Sequence, residues 1–227
     1  ERIDVICAGV GGLAAAMRLA HSGADVTVVE AHGAPGGKMR TVPSSAGPID
    51  AGPTVLTLRS AFDELFAASG ACFDDHVTLV REDILARHWW PDGTTLDLYA
   101  DRDASARAIR AFAGVQAEDQ FRAFANKTAM LFDAFDLPLI RSAEPSQTAI
   151  ALQVARRPTL LSAVAPLSTM AHKLAAEFRD PRLRQLFGRY ATYVGGSPFQ
   201  APAVLRLVAE AEARGVLSVV GGMHQLA

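Results

Sequence analysis

Gly9, Gly11 and Gly12 stand close together in the run DVICAGVGGLAAAMRLAHSGADVTVVE, with Glu30 at its far end. Residues of these types at this spacing grip phosphate and sugar; they do not attack bonds. Gly9 lets the main chain approach a pyrophosphate, Gly12 lets a strand and a helix pack closely, and the helix N-terminus offers free amides and a partial positive charge. Glu30 lies eighteen residues beyond Gly12, near the ~20-residue offset at which an acid accepts hydrogen bonds from an adenosine ribose. The same carboxylate disfavours a 2'-phosphate, so NADP is not expected. A dinucleotide is the expected ligand, and the bland alternative is a glycine-rich turn followed by a surface Glu.

One residue departs from the pattern. The full fingerprint has glycine where this chain has Cys7, at the point where the strand enters its tight turn. If φ at Cys7 is positive, the strain is of order 1 to 2 kcal/mol; if Cys7 keeps an ordinary strand conformation, it costs little. Downstream, AHGAPGGKMRT offers a second close backbone approach at Gly36 and Gly37 and a cation at Lys38 for phosphate or flavin.

The elements that must hold these residues are a strand at 3–6, an Ala/Leu-rich helix at 11–22 and a β-branched strand at 26–29, together a strand, helix, strand unit. A further strand is expected at 54–58, then a helix at 61–68 capped by Ser60, with Asp63 near its first-turn amides and Gly70 as its stop. Pro91, Asp92 and Gly93 between two strand-prone runs predict a hairpin. Helices are expected at 104–112, 118–135, 181–193 and 202–214, with Pro181 and Pro202 at helix starts. Leu183, Leu186, Phe187, Tyr190 and Tyr193 make one apolar face, either core packing or a substrate-lining wall.

Composition excludes several function classes. The 227 residues are half apolar and one-fifth charged, with a net charge of -2 and basic residues scattered along the chain, which argues against nucleic acid as a partner. Cys7 and Cys72 form no CxxC or Cys/His spacing, so no zinc site or disulfide framework is expected and a reducing cytoplasm is the default. No export signal is visible ahead of the first strand. The apolar stretch 158–172 holds two prolines and is shorter than the ~20 residues a spanning helix needs. His76, His88, His172 and His224 are isolated in the sequence, no Ser/His/Asp or Cys/His constellation stands out, and no catalytic acid or base is assigned.

The glycine run, the GGK segment and GPIDAGPTVL at 47–56 together resemble the FAD-dependent family of amine oxidases, protoporphyrinogen oxidases and carotenoid desaturases. Within it, FRDPRLRQLFGRYATYVGGSPFQAPAVL at 178–205 and the final VVGGMHQLA look like bacterial carotenoid desaturases. Arg189, Tyr190, Ala191 and Tyr193 ahead of GGSPF resemble the hydroxyneurosporene and methoxyneurosporene desaturases of purple-bacterial carotenoid synthesis, with phytoene desaturase the nearest competitor.

The resemblance implies an α/β fold in which an FAD/NAD(P)-binding Rossmann-like domain interleaves with an α+β substrate domain. It implies FAD as cofactor, with Gly36, Gly37 and Lys38 over it and Asp50 and Gly52 near the flavin. It implies C-3,4 desaturation of a hydroxy- or methoxyneurosporene-type carotenoid, hydride passing to the flavin and electrons leaving to a quinone or oxygen. A polyene offers almost no polar handle, so an apolar tunnel and correct placement are expected of the protein.

Residues 1–70 are expected to begin the FAD domain, 71–215 to form the substrate and membrane-facing region, and 216–227 to start the return to the FAD domain, as an N-terminal fragment of a longer family member. The segment 149–177, with Leu152, Leu160, Leu161, Val164 and Leu167 flanked by Arg156, Arg157 and Lys173, reads equally as a peripheral rest on a membrane surface and as core helices with basic rims. Alternatives are a flavin amine oxidase, which needs an aromatic-lined amine pocket, and a non-catalytic remnant, favoured by Cys7 and by the missing C-terminal segment.

Overall fold

The computed structural model describes residues 1–144 and 146–227 and divides the chain into two compact units. One comprises Glu1–Glu82 with Gly215–Ala227, the other Asp83–Arg214. The sequence places the corresponding divisions at 70/71 and 215/216.

The first unit opens with β1 (Arg2–Ile6), α1 (Val10–His21) and β2 (Asp25–Val29). The two strands are parallel, in register from Arg2 opposite Asp25 to Ile6 opposite Val29. A short antiparallel pair follows, β3 (Thr41–Val42) with β4 (Ile49–Asp50). Then come α2 (Arg59–Ala67) and β5 (Leu79–Arg81), and β5 pairs antiparallel with a strand from the end of the chain, Leu217–Val219. Met39, Leu56, Phe73, Val77, Val219 and Met223 form the core of this unit.

Two local expectations change. The predicted strand at 54–58 reduces to one bridge, Leu56 to Leu217, because its partner is that distant chain end rather than a neighbouring run. The helix after it starts at Arg59, not Ala61: Leu58, at φ 53, turns the chain into it without a side-chain cap, so Ser60 lies inside the first turn. Asp63 faces Arg59 Nε at 3.2 Å across one helical turn instead of the first-turn amides. Gly70 ends the segment as expected, at φ +72 with its amide donating to the Ala67 carbonyl.

The second unit begins with the predicted hairpin, β6 (Ile84–Trp89) and β7 (Thr95–Tyr99). Its turn is closed by Asp92, whose Oδ1 accepts from the Thr94 amide and hydroxyl, and by Gly93 at φ +81. The helices α3 (Arg102–Ala113) and α4 (Val115–Phe135) follow, the first capped by Asp101. A single π turn at Asp136–Ile140 leads to α5 (Gln147–Arg156), α6 (Thr159–Val164) and α7 (Met170–Glu177).

Next, α8 (Pro181–Gly188) is capped by Asp180, with Pro181 in its first turn. The predicted continuation to 193 tightens into 3-10 geometry over Arg189–Val194. Similarly, the stretch from Pro202 is 3-10 over Ala203–Leu207 before α9 (Val208–Ala213). The chain-end strand Leu217–Val219, β8, returns to the first unit.

The core of the second unit is aromatic. Phe124, Phe178 and Phe187 lie 4.6 to 5.3 Å apart, and Phe121 and Tyr190 extend the group. Leu183, Leu186, Phe187 and Tyr190 are buried in it, so the apolar stripe on α8 is a packing face, whereas Tyr193 is half exposed. Burial holds the Tyr190 phenol well above its ordinary pKa. Arg206, fully buried, donates to Glu177, to the Ala163 carbonyl and to the Ala203 carbonyl, tying α6 and α7 to the segment before α9.

Candidate functional site

A cleft of about 900 Å³ opens in the first unit at the C-terminal ends of β1 and β2. This is the edge of a parallel pair at which βαβ units bind nucleotides, because the crossover helix points its N-terminus there. Cys7, Glu30, Gly37, Lys38, Arg40 and Gly52 line it.

The glycine run places α1 as predicted. Gly9 is extended at φ -73, ψ 171 and caps the helix with no side-chain bond, leaving the first-turn amides available to an anion. A Cβ on Gly12 would overlap the Cys7 carbonyl oxygen, so only glycine lets α1 sit this close to β1. Gly9 pairs with Gly36 across an isolated parallel bridge, and the Gly36 amide donates to the Ala8 carbonyl at 2.8 Å. Thus the second glycine pair is docked on the first. A Cβ on Gly11 would meet nothing, so no packing demands glycine there.

Glu30 stands at the end of β2. Its Oε2 accepts from the Ala8 amide at 2.7 Å and its Oε1 from the His32 amide at 2.9 Å. The His32 amide first, then that of Ala8, holds the carboxylate below its usual pKa, so it is ionised at neutral pH and presents lone pairs to the cleft.

Lys38 and Gly52 both line the cleft and their backbones pack against each other, since a Cβ on Gly52 would overlap the Lys38 carbonyl oxygen. Asp50 is beside the cleft and not among the residues lining it. Its Oδ2 accepts from the Met223 amide at 3.0 Å, while Oδ1 is buried without a partner among the described residues.

Cys7 resolves the question its position raised. Its φ is +101, and its Sγ accepts from the Gly9 amide at 3.3 Å. The side chain therefore sits over one of the amides that the turn would offer to a phosphate.

Sequence reasoning passed over several cleft residues. Ala8 and His32 act through backbone amides, which carry no side-chain signal. Arg40 adds a second cation on the lining. His224, isolated in the sequence, has a partner: its Nδ1 is 2.9 Å from the Met39 carbonyl oxygen. His88, in the second unit, is stacked on Trp90 at 6.1 Å with Nδ1 buried and without a hydrogen-bond partner among the described residues, and burial lowers its pKa.

The residues present fit an adenine dinucleotide. The chemistry of the donor set matches its pyrophosphate and ribose: free helix-start amides and the cations Lys38 and Arg40 for the first, an ionised acid at the ribose offset for the second.

The comparisons with known proteins agree. Over 226 residues the chain is 54% identical to the hydroxyneurosporene desaturase of Cereibacter sphaeroides, covering 100% of this chain and 46% of that protein. It is 52% identical over 225 residues to the hydroxyneurosporene desaturase of Rhodobacter capsulatus, covering 99% and 46%. Against 4,4'-diaponeurosporene oxygenase of Staphylococcus aureus the identity is 30% over 231 residues, covering 100% and 46%. The chain thus spans about half the length of the curated relatives it matches.

Among solved structures, a putrescine oxidase double mutant superposes with a TM-score of 0.61 at 16% identity, covering 100% of this chain and 48% of that one. An oxidoreductase from Methanosarcina mazei gives 0.59 at 16%, covering 100% and 47%. These two share the fold, as the Rossmann-like α/β reading anticipates. Residues 10–227 match the family described as flavin containing amine oxidoreductase, and the chain belongs to that family.

Proposed function

We propose that this chain forms the cofactor-gripping part and much of the substrate region of an FAD-dependent carotenoid desaturase. The proposed reaction is C-3,4 desaturation of a hydroxy- or methoxyneurosporene-type polyene. The observation that carries this reading is the 54% identity to a hydroxyneurosporene desaturase along the whole chain. The cleft of the first unit supports it independently, because its donor set suits a dinucleotide.

In this reading the first-turn amides beyond Gly9, at Gly11 and Gly12, take the pyrophosphate and Glu30 takes the ribose. Gly36 and Gly37 keep the chain low beneath the cofactor, Lys38 supplies a cation, and Gly52 leaves room near the flavin. Asp50 acts from behind by fixing the Gly222–Met223 turn through its bond to the Met223 amide. Bound FAD supplies the two-electron oxidant that the removal of two hydrogens requires, and a quinone or oxygen is the proposed final acceptor.

The first unit is assigned to the cofactor, and the second, with its aromatic core, to the polyene and to a membrane surface on the cytoplasmic side. No helix among the described residues is long and apolar enough to cross a membrane, so attachment would be peripheral.

Two measurements test the reading. Titration of the chain with FAD, followed by quenching of flavin fluorescence, should saturate at one site, and Glu30→Ala should weaken binding. The chain, incubated with FAD, a quinone and hydroxyneurosporene in vesicles, should yield a product lacking two hydrogens. A protein that neither binds FAD nor converts the polyene overturns the assignment, and conversion of phytoene alone moves it to phytoene desaturation.

A further inference from the structure

The segment from α5 to α7 carries its charge asymmetrically. Arg156, Arg157 and His172 are exposed and Lys173 is half-buried, and none of Arg156, Arg157 and Lys173 has an ion-pair partner among the described residues. The only acid between 147 and 177 is Glu177. That acid is withdrawn from the surface, its side chain 6% exposed and paired with both Arg206 and Lys127. The solvent therefore sees only positive charge along this segment.

The same segment exposes apolar side chains that have a buried alternative beside them. Leu160, Ala163 and Val164 of α6 pack into the core, yet Leu161 is 54% exposed and Leu152 of α5 is 50% exposed. Leu167, in the turn between α6 and α7, is exposed as fully as in an extended chain, at 102%. Leu161, Pro166, Leu167 and His172 line one shallow concavity; Lys173 follows His172 in α7, and Arg156 and Arg157 close α5 immediately before α6.

We infer that this face, from Leu152 through Leu161 and Leu167 with the rim Arg156, Arg157 and Lys173, is a docking surface for an anionic lipid bilayer. Leu161 and Leu167 enter the acyl boundary while the basic side chains stay at the level of anionic headgroups. The inference gives the membrane attachment proposed above a specific surface. Charge complementarity selects an anionic bilayer over a neutral one, because each basic residue near such a surface strengthens binding roughly fivefold.

The test is sedimentation of the full chain with vesicles of phosphatidylcholine alone or with added phosphatidylglycerol. Strong binding to the anionic vesicles alone, weakened by salt, is expected. Leu161→Ser with Leu167→Ser should reduce it about tenfold or more, and the two side chains are exposed, so the core is untouched. Arg156→Gln, Arg157→Gln and Lys173→Gln together should reduce it by roughly a hundredfold.

Each variant should bind FAD as the parent does. Loss of FAD binding by the parent with vesicle binding retained would sink the cofactor reading and leave this one standing. Equal sedimentation with neutral vesicles, or variants that sediment like the parent, would overturn the inference. So would a concentration-dependent dimer that Leu167→Ser abolishes, with no vesicle binding by the parent, since the face would then belong to a second copy.

Discussion

Replacing Cys7 by glycine and, separately, by alanine separates two effects that one residue combines. Cys7 is held at φ +101 from both sides: its amide donates to the Val29 carbonyl at 2.7 Å, and the next carbonyl, that of Ala8, accepts from Gly36. A side chain at this φ costs about 1 to 2 kcal/mol. Cys7→Gly relieves that strain but loses about 0.5 to 1 kcal/mol to unfolded-chain entropy. The net gain lies between about 0 and 1.5 kcal/mol, a rise in midpoint of up to roughly 6 °C for a chain of this size. Cys7→Ala keeps the strain and should unfold at or slightly below the parent temperature.

Both variants free the Gly9 amide from Sγ, so both should bind FAD more tightly. A regained amide bond to a charged phosphate is worth about 1.5 kcal/mol, roughly tenfold in affinity. Thermal unfolding of the ligand-free protein and FAD titration measure the two effects separately. At an ordinary negative φ alanine is the more stabilising of the pair, so the sign of the Gly/Ala difference is decisive. A Cys7→Ala protein as stable as Cys7→Gly, or FAD affinity unchanged in both, would refute the reasoning.

The remaining predictions concern neighbouring parts of the molecule. Gly12→Ala should destabilise the first unit by about 1 to 3 kcal/mol and abolish FAD binding, since its Cβ overlaps the Cys7 carbonyl; Gly11→Ala, whose Cβ meets nothing, should leave chemical denaturation near parental. Glu30 has its pKa lowered by the His32 and Ala8 amides. Its stabilising contribution is complete above the unfolded value near 4.5 and is lost only as pH falls through the lower folded value. FAD affinity should therefore hold down to that range in the parent, and Glu30→Gln should weaken binding at pH 7 and flatten the acid limb of the titration. Arg206→Met should cost about 3 to 5 kcal/mol in urea unfolding, because it leaves Glu177 buried and short of a charge partner. The double change with Glu177→Gln should recover part of that loss, and strictly additive losses would show that the pair is not coupled.

Legibility in the sequence followed the distance between partners. The opening strand, helix and strand and the Pro91–Gly93 hairpin were readable because each is specified by residues within about thirty positions: the glycines, the β-branched runs, and Asp92 closing its own turn. The strand expected at 54–58 failed for the opposite reason. Leu56 finds its single bridge at Leu217, and no local pattern records a partner that far along the chain. Leu58 entering α2 in the left-handed region is likewise unsignalled, because Ser60 offered a better local cap and lost to the path the chain must take.

The same rule divides the site. Glycine positions and Glu30 were visible as types at a spacing, and the structure brings Glu30, Gly37, Lys38 and Gly52 to one cleft. What could not be read is the work done by backbone groups. Ala8 and His32 hold the Glu30 carboxylate and lower its pKa through their amides, and a backbone amide leaves no mark in residue type. Cys7 lies between these cases. Its identity flagged a departure from glycine, but whether that departure mattered depended on φ. The sign of φ is set by the Val29 and Gly36 bonds on either side of the turn. A cysteine at the same position in a turn not pinned by β2 and Gly36 could relax to negative φ and lose the strain. Loosening the Gly36 docking should therefore shrink the stability difference between Cys7→Gly and Cys7→Ala toward the ordinary alanine preference.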